Sequence, residues 1–76
     1  NIVIYPNPTY DILNILTNDS FEFILSDISG RVLINLDNNN TIKGLNQLDI
    51  SYLSSGIYNI TIIYNGNSTT QKIIKQ

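Results

Sequence analysis

The chain contains neither histidine nor cysteine, so the commonest general base, the commonest metal ligand and the strongest nucleophile are all missing. Seven serines are present, but none has a base to activate it. The acids are Asp11, Asp19, Glu22, Asp27, Asp37 and Asp49. Paired-carboxylate chemistry needs two acids held a few ångströms apart with separated pKa values, and these fall mostly at strand ends and turns, where solvation accounts for them. The inventory predicts no enzymatic activity and no cofactor. Asp37 to Asn40, "DNNN", is the best candidate for a hard cation such as calcium, but it has no second carboxylate and follows no ligand-spacing rule, so a solvated loop is the simpler reading. Of the five tyrosines, Tyr58 and Tyr64 share a face with Ile60 and Ile62 and read as packing. Tyr5, Tyr10 and Tyr52 lie at strand ends and are the candidates for a sugar-stacking surface.

Basic residues are sparser than acids. Arg31, Lys43, Lys72 and Lys75 leave a net charge of −2, scattered in no block, which excludes a nucleic-acid or anionic-membrane surface and predicts no nucleic-acid partner. No small-molecule substrate is implied. No apolar run approaches the length of a membrane-spanning helix. Without cysteine, the composition does not identify a redox compartment. Sequons at Asn18, Asn39, Asn59 and Asn67 follow from the abundance of asparagine. Because the chain begins at Asn1 rather than methionine, it reads as a piece of a longer polypeptide.

The elements that must position these residues are strands. The two prolines, Pro6 and Pro8, flank Asn7 in "IVIYPNPTYDIL"; each lacks an N–H, fixes φ and biases its predecessor toward extended backbone. They predict a stiff corner, free of ladder hydrogen bonds, between a strand ending at Tyr5 and one running from Ile12 to Leu16. In "FEFILSDI" Phe21, Phe23 and Leu25 share a face. "DISGR" places Asp27 three residues before Gly30, as a type I turn prefers, and "RVLINL" returns with Val32, Ile34 and Leu36 on the more buried face. "TIKGLNQLDI" is a weaker strand interrupted by Gly44, and "SYLSSG" is a turn. Tyr58, Ile60, Ile62 and Tyr64 then alternate with polar Asn59 and Thr61, and Asn65-Gly66 supplies a two-residue type I′ hairpin into "STTQKIIKQ". No window carries helical periodicity. The pattern predicts an all-β fold, a small antiparallel sandwich of immunoglobulin-like, Greek-key type with about seven strands and no substantial helix, filling residues 1–76 as a single domain.

The order of the punctuation goes further. "YPNP", a short strand, "DISGR", "LSSGIY" and a lysine-bearing last strand "QKIIK" together resemble the C-terminal sorting domain, type A, of proteins exported by the type IX (Por) secretion system of Bacteroidetes. The resemblance runs from Ile4 to Lys75. Pro6, Asn7 and Pro8 match the family's early Pro-Asn-Pro; Gly30 and Arg31 match its glycine followed by a basic residue; Leu53, Gly56 and Tyr58 match its Leu-x-x-Gly-x-Tyr; Lys72 and Lys75, which enclose Ile73 and Ile74, match its basic tail. Gln76 after the last lysine is a departure.

By this resemblance the domain is a noncatalytic address label and these twelve residues are its translocon-recognition set. The implied partners are the outer-membrane translocon with its shuttle proteins, a sortase-like cell-surface peptidase, and an N-terminal cargo domain of the same chain. The parent would pass through the periplasm and finish at the cell surface or outside, with the cut before Asn1 or within the first residues. For recognition, the expectation is a final strand, Ser68 to Gln76, that ends freely and pairs by its edge with a partner, Lys72 and Lys75 setting orientation by charge. Two competing classes are a carbohydrate-binding or adhesive surface module, which would use the exposed tyrosines or a calcium loop, and a passive spacer between domains.

Overall fold

Phe21, Phe23 and Leu25 alternate along an extended segment, and all three side chains are buried, so this segment must have one face against a core. The computed structural model describes residues 2–76 and finds seven strands. These are β1 (Val3–Tyr5), β2 (Ile12–Thr17), β3 (Glu22–Asp27), β4 (Val32–Leu36), β5 (Gly44–Asp49), β6 (Gly56–Tyr64) and β7 (Asn67–Lys75). They form two antiparallel sheets, ordered β1-β2-β5 and β4-β3-β6-β7. The second strand lies beside the fifth and the third beside the sixth, as in immunoglobulin-like Greek keys, with β4 joined to β3 rather than to β5. The expected all-β sandwich is therefore found.

Its core sits between the sheets. Leu13 and Ile15 of β2 face Phe23 and Leu25 of β3, Ile60 and Ile62 of β6 and Ile73 of β7, all at most 1% exposed. On β6 the period-two face is buried as the alternation predicts, with Tyr58 in the core and Tyr64 packed at its margin. Asn65 at φ 50° and Gly66 at φ 77° make the hairpin between β6 and β7, both central residues adopting the positive φ of a type I′ turn.

Three local expectations are corrected and one, the solvated loop at Asp37 to Asn40, is refined. Val32 is exposed rather than buried, because Leu25 pairs with Ile34 and Ser26 with Val32, leaving Leu33 as the extra residue of a bulge that turns the face over. Leu33 packs on the core in its place. Gly44 does not interrupt a strand; it begins β5, with Thr41 to Lys43 outside it. Asn38–Asn40 form one turn of 3-10 helix, capped by the Asp37 carboxylate accepting from the Asn39 N–H at 3.0 Å. Fourth, backbone hydrogen bonds do run to the proline corner, as the site geometry shows.

Candidate functional site

The "DISGR" turn is built around one carboxylate. Asp27 Oδ1 accepts from the Ser29 N–H at 2.9 Å, the Ser29 hydroxyl at 2.6 Å and the Arg31 N–H at 3.0 Å, while Arg31 Nε lies 3.3 Å from Oδ2. Two backbone bonds close the loop, Gly30 N–H to Asp27 C=O and Asp27 N–H to Arg31 C=O, each 3.0 Å. Gly30 holds φ 92°, a left-handed value that favours glycine. Donors clustered on Asp27 favour its ionised form: the Ser29 hydroxyl first, then, against some desolvation, the Arg31 and Ser29 N–H groups and the Arg31 charge, which together lower its pKa. The guanidinium of Arg31 remains largely exposed.

A second turn precedes β6. Leu53 N–H donates to Ile50 C=O at 3.0 Å, and the Leu53 side chain packs on the core. Gly56 starts the strand, and two residues on Tyr58 enters the core with its hydroxyl donating to Ser54 C=O at 2.5 Å. A buried tyrosine near the start of a strand, bonded back to the preceding loop, anchors that loop to the sandwich as a tyrosine corner does. Asp49, at the end of β5, is likewise lowered by Ser51, whose hydroxyl contributes most and whose N–H lies 2.9 Å from Oδ1.

Sheet register brings the separate motifs to one end of the molecule. Asp27 pairs with Tyr58, Tyr58 with Ile73 and Gly56 with Lys75, so both turns and the last residues of β7 lie side by side. The proline corner completes this end. Asn7 Nδ2 donates to Lys72 C=O and Asn7 Oδ1 accepts from Ile74 N–H, both at 3.0 Å. Thr9 N–H donates to Ile74 C=O, and Gln76 N–H to Thr9 C=O, both at 2.8 Å, in a parallel bridge between Thr9 and Lys75. Tyr5-Pro6 and Asn7-Pro8 are cis.

This geometry corrects the picture of a last strand that ends freely. Its end is hydrogen-bonded on both sides, to β6 and to the corner. Nor do the two lysines present equivalent charges. Lys72 is exposed, whereas Lys75 is 7% exposed and its Nζ donates to Gln76 C=O at 3.0 Å. The two isoleucines divide in the same way, Ile73 buried and Ile74 at 44% exposed.

Other candidates are not assembled into a site. Asp37 spends one carboxylate oxygen on its own turn, and among the described residues no three Asp or Glu side chains are grouped to hold an ion. Tyr10 and Tyr52 are exposed at 63% and 70%, and Tyr5 at 42%. A cleft of about 230 Å³ opens at the other end of β3, between Phe21, Leu36, Thr41, Ile42 and Leu45. Asn1, near which the cleavage is expected, lies outside the described residues.

Two residues that the motif reading passes over prove structural. Thr9 is fully buried and binds Ile12 C=O through its hydroxyl as well as bridging β7. Thr41 is buried with its hydroxyl donating to Phe21 C=O at 2.7 Å and accepting from Phe21 N–H at 2.8 Å. No local sequence signal marks the Thr41–Phe21 pairing or the Thr9 bridge to β7, since those partners lie 20 or more residues away.

A family model described as a secretion system C-terminal sorting domain matches residues 3–76. No curated protein matches the chain.

Proposed function

The chain belongs to the secretion system C-terminal sorting domains, a family of noncatalytic signals for type IX export to the cell surface or outside, and from that premise we propose the route by which it works. The parent protein crosses the periplasm with this domain folded at its C-terminal side. Shuttle proteins and the outer-membrane translocon recognise the domain, the cargo passes to the cell surface, and a sortase-like peptidase cuts on the N-terminal side of the domain. The observation that carries this reading is the convergence of the Pro-Asn-Pro corner, the Gly30-Arg31 turn, the Leu53-to-Tyr58 segment and the Lys72-to-Lys75 strand at one end of the sandwich. Residues scattered over the sequence thereby meet at one end, where Asn7, Arg31, Lys72 and Ile74 are exposed for one partner to read, over a base of buried Tyr58, Ile73 and Lys75. Strand addition remains available to such a partner where β7 is open, over Asn67 to Thr70, with exposed Lys72 at its margin.

The test is a fusion of these 76 residues to the C terminus of a leader-bearing fluorescent protein in a bacterium that has the type IX system. Fluorescence is expected in the medium or on the surface of cells with the translocon and in the periplasm of cells without it, and the exported product should be smaller than the fusion. Retention in both strains refutes the route. Exposed Tyr10 and Tyr52 favour a carbohydrate-binding module as the second reading, in which case the domain binds on a glycan array.

A further inference from the structure

The outer edge of β7 is treated differently along its length. From Asn67 to Thr70 the residues are exposed, with β6 on one side only. From Lys72 to Gln76, Asn7 and Thr9 take Lys72 C=O, Ile74 N–H, Ile74 C=O and Gln76 N–H. Their spacing by two residues is that of the groups on one side of a strand. Pro6 and Pro8 have no N–H with which to extend a ladder. The carboxamide between them has both a donor and an acceptor, and Asn7 uses them on β7 as a neighbouring strand would use its peptide groups. Asn7 is itself exposed, so no demand of core packing explains its side chain.

We propose that Asn7 is a lock on the C-terminal strand. It closes the edge of β7 at Lys72 and Ile74, next to the Thr9 backbone bridge to Ile74 and Gln76, and so holds the basic end of the chain in the sandwich; this closed form, not a free tail, is what the export machinery accepts. Asn7 is thus a positioning residue, acting through β7, and the final clause rests on the sorting reading. The side-chain requirement is specific. Aspartate at this position keeps the acceptor for Ile74 N–H and loses the donor for Lys72 C=O, while alanine loses both.

Amide exchange in the purified chain reads the lock directly. In Asn7→Ala the Ile74 amide should exchange at least about tenfold faster, while amides in the middle of β6 keep their rates; Asn7→Asp should retain Ile74 protection. Unchanged Ile74 exchange in Asn7→Ala overturns the lock. Export of the fluorescent fusion is then compared between Asn7→Ala and Ile60→Val, a core change that lowers stability without touching the edge. Export should fall at least about fivefold in the first and stay near wild type in the second. Faster Ile74 exchange with wild-type export, or equal losses in both variants, overturns the closed-form clause. An unmodified fusion that stays in the periplasm refutes the sorting reading and that clause with it, while exchange still decides the lock.

Discussion

Replacing Ile73 and Ile74 one at a time by alanine tests the register of the last strand, because the two neighbours are chemically identical and differ only in which way they face. Ile73 is fully buried against the core, opposite Tyr58, and Ile74 is 44% exposed. Ile73→Ala removes three carbons from a packed site, about 0.8 kcal/mol each in transfer, and leaves a cavity that brings the total to roughly 3–4 kcal/mol. A chain of this size is expected to have roughly 4–11 kcal/mol in all. The loss should lower the urea midpoint by about 2 M or more and the melting temperature by roughly 12–32 °C. Ile74→Ala should cost about 1 kcal/mol or less, since that side chain is already half in water. Urea unfolding of both variants, followed by far-UV circular dichroism, is the assay. Equal losses, or a larger loss for Ile74, refute the register, since a slip of one residue exchanges the two faces.

The remaining predictions concern the turns and one buried hydroxyl. Asp27 has its pKa lowered in the fold from an ordinary value near 3.8, so its stabilising contribution is complete above about pH 4 and is lost as pH falls through the lowered value. The melting temperature of Asp27→Asn should therefore approach that of wild type as pH falls through the lowered value, with the larger gap near neutrality; a gap that widens in acid contradicts the assignment. Thr41→Val strands the Phe21 N–H and C=O without their buried partner and should cost about 2–4 kcal/mol by urea unfolding; a loss below about 1 kcal/mol contradicts that pairing. Tyr58→Phe keeps the ring and removes the bond to Ser54 C=O, for a loss of about 1 kcal/mol measured the same way.

Much of the architecture was legible along the chain because it is local. The alternation of Phe21, Phe23 and Leu25, and of Tyr58, Ile60 and Ile62, marks two central strands, since a strand buried on one face must repeat every second residue. Asn65-Gly66 marks its hairpin through φ alone, and "DISGR" its turn through an aspartate and a glycine at the required spacing. The order of these signals was enough to suggest the family to which the chain belongs. The bulge that exposes Val32 was not legible, because alternation continues in the sequence through the place where pairing skips a residue.

Most strands, their turns and a chemistry without histidine or cysteine can thus be read directly along the chain. Long-range packing sets which motifs share an end of the molecule, buries Lys75 while Lys72 stays exposed, and brings Asn7 to the last strand 65 and 67 residues away. The physical reason is that φ preferences and side-chain alternation act between neighbours, whereas the pairing of the first corner with the last strand exists only after two sheets have closed on a common core.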